Sequence, residues 1–166
     1  MLGQSANNLN DVIGFDNYDV GHVFATGGAG LAQLGAVCGN GKARGATGVF
    51  PPTGDFFSID YVSHEIGHQF GANHSFNNCS GNENPSTGFE PGSGATIMSY
   101  AGLCGQNNLQ FNSDDYFHGI SIQEMTSFID NGGIDCANAI STGNTPPALS
   151  IINGGFHIPI LSLIHI

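Results

Sequence analysis

The stretch 63-SHEIGHQFGANHS-75 decides how this chain is read. It sets His64, Glu65, His68 and His74 on a fixed grid, with Gly71 between the last two histidines. The chain has only seven histidines in 166 residues, and three of them fall in this one stretch. On a helix, His64 and His68 leave the same face one turn apart. Two such imidazoles can hold one ion, and a tetrahedral zinc ion takes a third protein ligand while keeping one position open. His74 cannot join them if the helix runs straight on. Glycine removes that obstacle, because it takes positive φ, ends the helix and turns the chain back. The spacing therefore predicts one zinc ion held by His64, His68 and His74.

Glu65 follows the first ligand and points partly away from the ion. It is placed to take a proton from water at the open position, whose pKa zinc lowers to about 7. The hydroxide so formed attacks a carbonyl carbon, and Glu65 hands the proton to the leaving amine. Two plainer readings exist. Solvated surface histidines need no such grid, and structural zinc sites fill all four positions with protein ligands.

Composition narrows the rest. Two basic residues stand against thirteen acidic ones, for a net charge of −11. That argues against a nucleic-acid partner, which needs Lys and Arg to neutralise phosphates, and against docking on an anionic membrane. No apolar run reaches the ~18 residues of a membrane span. The 26 glycines imply turns and long shaped loops. Cys38, Cys79, Cys104 and Cys136 form no close CxxC pair, which argues against a cysteine zinc site. Two disulfides in an oxidising compartment suit them, and sequence alone allows three pairings. Four free thiols are the alternative.

Helical spacing of Leu2, Ala6, Leu9 and Ile13 predicts a helix stopped by Gly14. Alternation over 18-YDVGHVF-24 predicts a strand, with His22 a satisfied strand histidine. Leu31 to Val37 reads as an edge strand with bulges, and 45-GATGVFPPTGDFF-57 as loop. The main helix is expected from Asp60 to Phe70, capped by Asp55 or Ser58. Residues 77–94 read as loop, followed by a short apolar element, 95-ATIMSYAGLCG-105. Ser121 and Glu124 match a capping box, opening a helix with Ile122, Met125, Phe128 and Ile129 on one face and Asn131-Gly132 at its end. His118 reads as structural. Asp114 and Asp115 are a weaker candidate calcium pair.

The chain divides as 1–140 for the catalytic domain, 141–147 as linker and 148–160 as the severed start of a β domain that includes His157. Residues 161-LSLIHI-166 reverse-translate to a sequence that resembles a transposon end used in preparing sequencing libraries, and are set aside from fold reasoning. The start, 1-MLGQSANNLN-10, lacks the basic and apolar regions of a signal peptide. A signal peptide is therefore expected outside the given chain.

The motif 64-HEIGHQFGANH-74, followed by Met98 in 96-TIMSY-100, resembles the metzincin signature. Closest in likeness are the bacterial reprolysin-like metallopeptidases, which have pieces similar to 18-YDVGHVFATGGAGLAQLG-35 and 90-EPGSGATIMSYAG-102. This resemblance implies an α+β fold. A twisted, mostly parallel sheet carries an antiparallel edge strand, a zinc helix lies beneath it, and a loop-rich lower half ends in a helix. It implies Met98 as an apolar floor under the zinc, and Leu31, Ala32, Gln33, Leu34 and Gly35 as the cleft rim that pairs with an extended peptide. It also suggests the disulfides Cys38–Cys136 and Cys79–Cys104, and it implies that the first strands and helix of the domain, preceded by a propeptide, lie outside the given chain. Two departures stand out. Ser75 follows the third histidine where animal and venom reprolysins commonly carry Asp. Tyr100 stands two residues after Met98, a spacing similar to that of astacins and serralysins. Tyr100 is accordingly a candidate hydrogen-bond donor to the developing oxyanion, with a plain pocket wall as the alternative.

The resulting expectation is a secreted or cell-surface zinc endopeptidase acting on proteins or peptides. A catalytically silent binding or adhesion module and a zinc hydrolase of non-peptide amides are the rivals.

Overall fold

The structure is a computed structural model that describes residues 2–79, 81–138 and 140–145. The proposed β-domain start at 148–160, with His157, and the segment 161–166 lie outside the described residues, as do 146–147 of the linker. Residues 141–145 form neither helix nor strand.

Helix α1 spans Leu2–Val12. Gly14 ends it at φ 90°, taking bonds from its N–H to the Leu9 and Asn10 carbonyls. Three short strands follow: β1 (Val23–Ala25), β2 (Gly30–Ala32) and β3 (Gly45–Gly48). Their order is β1-β3-β2, with β3 parallel to β1 and antiparallel to β2. The fold is α+β with a small mixed sheet, and β2 is its antiparallel edge.

Three expectations about the strands need correction. The strand expected over 18–24 shrinks to β1, because the chain before it is committed elsewhere: the Gly21 N–H bonds the Lys42 carbonyl, and Asp19 accepts from the Cys38 N–H. Gly21 also lies against Leu9 and Ala43, where a Cβ would stand 2.5 Å from Leu9 Cδ1. Segment 45–57, expected to be loop, begins with the central strand β3. No large apolar side chain announces it. Gly45 sits so near Gln69 and His22 that a Cβ would meet each at 2.5 Å, and a Cβ on Gly48 would lie 2.2 Å from the Gly27 carbonyl oxygen. The strand is buried by close backbone approach, which strand propensity does not register.

The edge strand is also shorter than Leu31–Val37. After one further bond, Gln33 N–H to the Arg44 carbonyl, Gly35 turns at φ 58°. The Gly35 and Ala36 N–H groups then bond the His68 and Gln69 carbonyls.

Helix α2 has two parts: wide π-type turns over Phe56–Ser63, then an α-helical His64–Gln69. It starts before Asp60, and neither expected cap works. Asp55 makes no capping hydrogen bond, and Ser58 contributes only its carbonyl, to the Ser63 hydroxyl. Gly71 ends the helix at φ 94°, and its N–H bonds the His68 carbonyl at 2.9 Å.

From residue 72 to α3 (Gly119–Phe128) the backbone forms turns, one 3₁₀ turn at Gly105–Asn107, and an isolated Phe76–Glu90 bridge. This half is nonetheless buried. Ala72, Ile97 and Met98 pack with Ile59, Phe117 and Met125, and Phe76 packs with the Cys79–Cys104 disulfide and Tyr100. The second disulfide, Cys38–Cys136, ties the turn after β2 to the turn that follows the helical segment Ile129–Gly133.

The capping box at Ser121 and Glu124 is not formed. His118 caps α3 instead, its Nδ1 accepting from the Ile120 N–H at 3.1 Å. Ser121 is buried inside the helix, and Glu124 reaches across to the Asn73 N–H and side-chain amide at 2.8 and 2.6 Å. A long-range bond to the residue before His74 has displaced the local one. The expected apolar face is partly correct: Met125 packs on the core, while Ile122 is exposed. Gly132, at φ 90°, breaks the helical turns that follow α3.

Candidate active site

His64 and His68 project from consecutive turns of α2, and His74 comes up from the loop after Gly71. The ring centroids are 4.8 Å apart for His64–His68, 4.8 Å for His68–His74 and 5.2 Å for His64–His74. Each ring is steered by a backbone carbonyl on its Nδ1 side. His64 bonds the Ile97 oxygen at 2.8 Å, His68 the Ala72 oxygen at 2.7 Å, and His74 the Asn82 oxygen at 2.7 Å. A carbonyl only accepts, so all three Nδ1 atoms carry the proton. All three Nε2 atoms are left as bare lone pairs. One candidate ligand atom from each ring lies within 4.8 Å of the others.

These residues fit a metal ion. His68 Nε2 and His74 Nε2 stand 3.2 Å apart with no proton to share. Facing lone pairs repel unless an electrophile sits between them. Ligand nitrogens at about 2.1 Å from a tetrahedral zinc are about 3.4 Å apart, close to that spacing. The protonation states agree. Burial, then the neighbouring His68 and His74, push His64 down to about 3. Burial and His74 push His68 down to about 4, and burial lowers His74. Neutral imidazoles are the metal-binding form. Carbonyl partners on the far nitrogen are the usual way ligand rings are oriented.

Glu65 is 6% exposed, and burial raises its carboxyl to about 7. Its Oε2 has no hydrogen-bond partner among the described residues. The carboxylate is seated against Gly30 of β2, where a Cβ would stand 2.0 Å from Oε1. Only glycine leaves it that room. Met98 is fully buried below the helix, its Sδ 2.5 Å from where a Cβ on Gly67 would lie. Gly67 thus lets the thioether pack directly against the helix.

Glu65, Gly30 and Tyr100 line two adjoining cavities. The larger, about 390 Å³, runs past His68 and His74 between the β2 rim and the loop Asn82–Asn84. The smaller, about 160 Å³, reaches Asp60 and Leu103. Of the expected rim, Leu31, Ala32 and Leu34 line the larger cavity. Gln33 turns away to accept from Arg44, and Gly35 is spent on the end of α2.

Tyr100 meets the His74 ring edge-on, with centroids 4.6 Å apart, and lies 5.7 Å from the His64 ring. Burial raises its pKa. Its hydroxyl accepts from Asn82 Nδ2 at 2.6 Å, leaving its own proton free. Asn82 was not legible as a site residue: nothing in the sequence says that its carbonyl would steer His74 while its amide holds Tyr100. Gly30 and the Ile97 and Ala72 carbonyls were missed for the same reason.

The other histidine and acid candidates resolve simply. His22 bonds Gln69 and Thr47, and so serves the packing of sheet on helix. Asp114, half of the weak calcium pair, accepts from Gln110 and Tyr116. No metal-ligand grouping among the described residues includes Asp114 or Asp115.

Residues 2–130 match the sequence model of the family described as metallo-peptidase family M12B, reprolysin-like. The chain belongs to that family. This reprolysin-like chain is thus a metallopeptidase by descent, and the family implies zinc and a protein or peptide substrate. No curated protein matches it. No helix among the described residues is long and apolar enough to cross a membrane.

Proposed function

We propose that the protein is a secreted, zinc-dependent endopeptidase of metzincin type. One observation carries this reading: three Nε2 lone pairs converge beside a buried carboxylate oxygen that has no partner among the described residues. Zinc held by His64, His68 and His74 would supply Lewis acidity, making water a nucleophile at neutral pH.

The remaining steps belong to the chain itself. An extended peptide lies along the free edge of β2, whose other edge is occupied by β3. Leu31, Ala32 and Leu34 wall one side of the bound segment, and Tyr100 the other. Glu65 takes a proton from the attacking water and returns it to the leaving amine. Its seat against Gly30 fixes the carboxylate, and burial keeps its proton affinity near neutral, as a group that must both accept and release requires. Tyr100 donates its free hydroxyl proton to the carbonyl oxygen as negative charge builds there. Met98 supports the helix from below. Two disulfides suit an oxidising compartment.

The test is zinc analysis of the purified protein together with cleavage of casein or gelatin, with and without a chelator. One zinc per chain and chelator-sensitive cleavage are expected. Zinc without cleavage points to a binding module, and cleavage confined to small amides points to a non-peptide hydrolase.

A further inference from the structure

The loop half holds one buried carboxylate that the proposed chemistry does not use. Glu90 is 7% exposed. Four donors surround it. The Ser75 and Thr96 hydroxyls donate to Oε2, the latter at 2.7 Å, while the Ala95 and Thr96 N–H groups donate to Oε1 at 2.8 and 3.0 Å. Its backbone is engaged as well: the Glu90 N–H bonds the Ser75 oxygen at 2.8 Å, and the Glu90 oxygen accepts from the Asn77 N–H at 3.0 Å. Burial alone would raise its pKa, yet these donors together hold it below the ordinary value.

The donors come from two places that matter. Ser75 and Asn77 lie directly after His74, and their segment is further pinned by the Ser75 N–H on the Met98 oxygen at 3.1 Å. Ala95 and Thr96 lie directly before Ile97, whose carbonyl steers His64. One carboxylate therefore clamps the segment after the third histidine to the segment that orients the first. Neither segment has helix or strand to hold it.

We propose that Glu90 is a positioning residue of the metal site, setting how closely His64 and His74 converge. This rests on the zinc reading above. Groups behind metal ligands typically change metal affinity about 10- to 100-fold when removed. Glu90→Gln keeps the shape but removes the charge and turns an N–H donor toward other donors.

The experiment measures zinc affinity by chelator competition, and the melting temperature with and without zinc, for the parent protein and its variants. Glu90→Gln is expected to weaken zinc about 10- to 100-fold and to shrink the zinc-induced rise in melting temperature. A purely structural role would lower both melting temperatures equally and leave zinc affinity within about twofold of the parent, and that result overturns the proposal. Thr96→Val and Ser75→Ala each remove a single donor and keep the clamp testable if Glu90→Gln does not fold. Each is expected to weaken zinc about threefold to tenfold, and unchanged affinity in both overturns the proposal. A parent protein that binds no zinc fails the zinc reading itself, and the inference falls with it.

Discussion

His64 and His68 owe their spacing to helix geometry: two successive turns of α2, lodged against a sheet whose central strand touches the helix through bare glycine. His74 and Tyr100 owe theirs to nothing so regular. They sit in a half with almost no helix or strand, held by side-chain bonds from Asn82 and Glu124, a disulfide and a buried aromatic cluster. The helical half fixes the backbone spacing of His64 and His68 through local hydrogen bonds that any helix would make, and the His64 ring is steered from the loop half, by the Ile97 carbonyl. The loop half must specify each contact separately, so a single residue there can carry a large share of the geometry.

The comparison can be broken most severely at the ligands. His68→Ala on the helix and His74→Ala in the loop should both abolish zinc binding and peptide cleavage, read by metal analysis and turnover. If either variant keeps stoichiometric zinc, the two halves do not share one ion.

A smaller effect is expected at Tyr100. Tyr100→Phe should lower kcat about 100-fold, as for a lost oxyanion donor, with zinc content unchanged. An unaltered kcat would reduce Tyr100 to a pocket wall.

On the sheet side, the equivalent probe is Gly30→Ala. The new Cβ would meet Glu65 Oε1 at 2.0 Å and displace the carboxylate. The expected result is a fall in kcat of roughly 100-fold, with zinc retained. Wild-type kcat in this variant would mean that the β2 contact does not seat the base.

The weakest test is pH. In the metal-free protein His64 and His68 are held down to about 3 and about 4, below the usual ~6.5 of an unfolded histidine. Between those values the unfolded chain binds more protons than the folded one, so stability must fall as pH drops below about 6.5. Glu65 is shifted the other way, up to about 7. Its contribution therefore rises on acidification, and the two histidines outweigh it. Urea melts of metal-free protein at pH 7 and pH 5 should show lower stability at pH 5. Substituting His64 by an apolar residue should flatten that trend.

What the sequence disclosed follows the same division. Periodicity and a positive-φ glycine made the three histidines and the end of α2 legible, because those features are local. The strand β3 was hidden, since Gly45-Ala46-Thr47-Gly48 carries no strand-forming apolar side chain and is buried by backbone approach. The start of α3 was misplaced because Glu124 bonds Asn73, 51 positions away, rather than closing a local cap. Asn82 and Glu90 were invisible for a related reason. Their partners at Tyr100 and Ser75 lie 18 and 15 positions away across irregular loop. No repeating pattern marks such pairs. The resemblance to reprolysin-like metallopeptidases supplied Met98 and the β2 rim, and of that rim the structure brings Leu31, Ala32 and Leu34 to the cavity but not Gln33 or Gly35.

In the proposed mechanism Glu65 moves protons beside an ion that three imidazoles would grip. The most direct measurement pairs zinc content with the rate of peptide cleavage for Glu65→Ala. It should retain one zinc per chain and lose cleavage by at least about 1,000-fold. Cleavage near the parent rate with zinc in place would contradict the account.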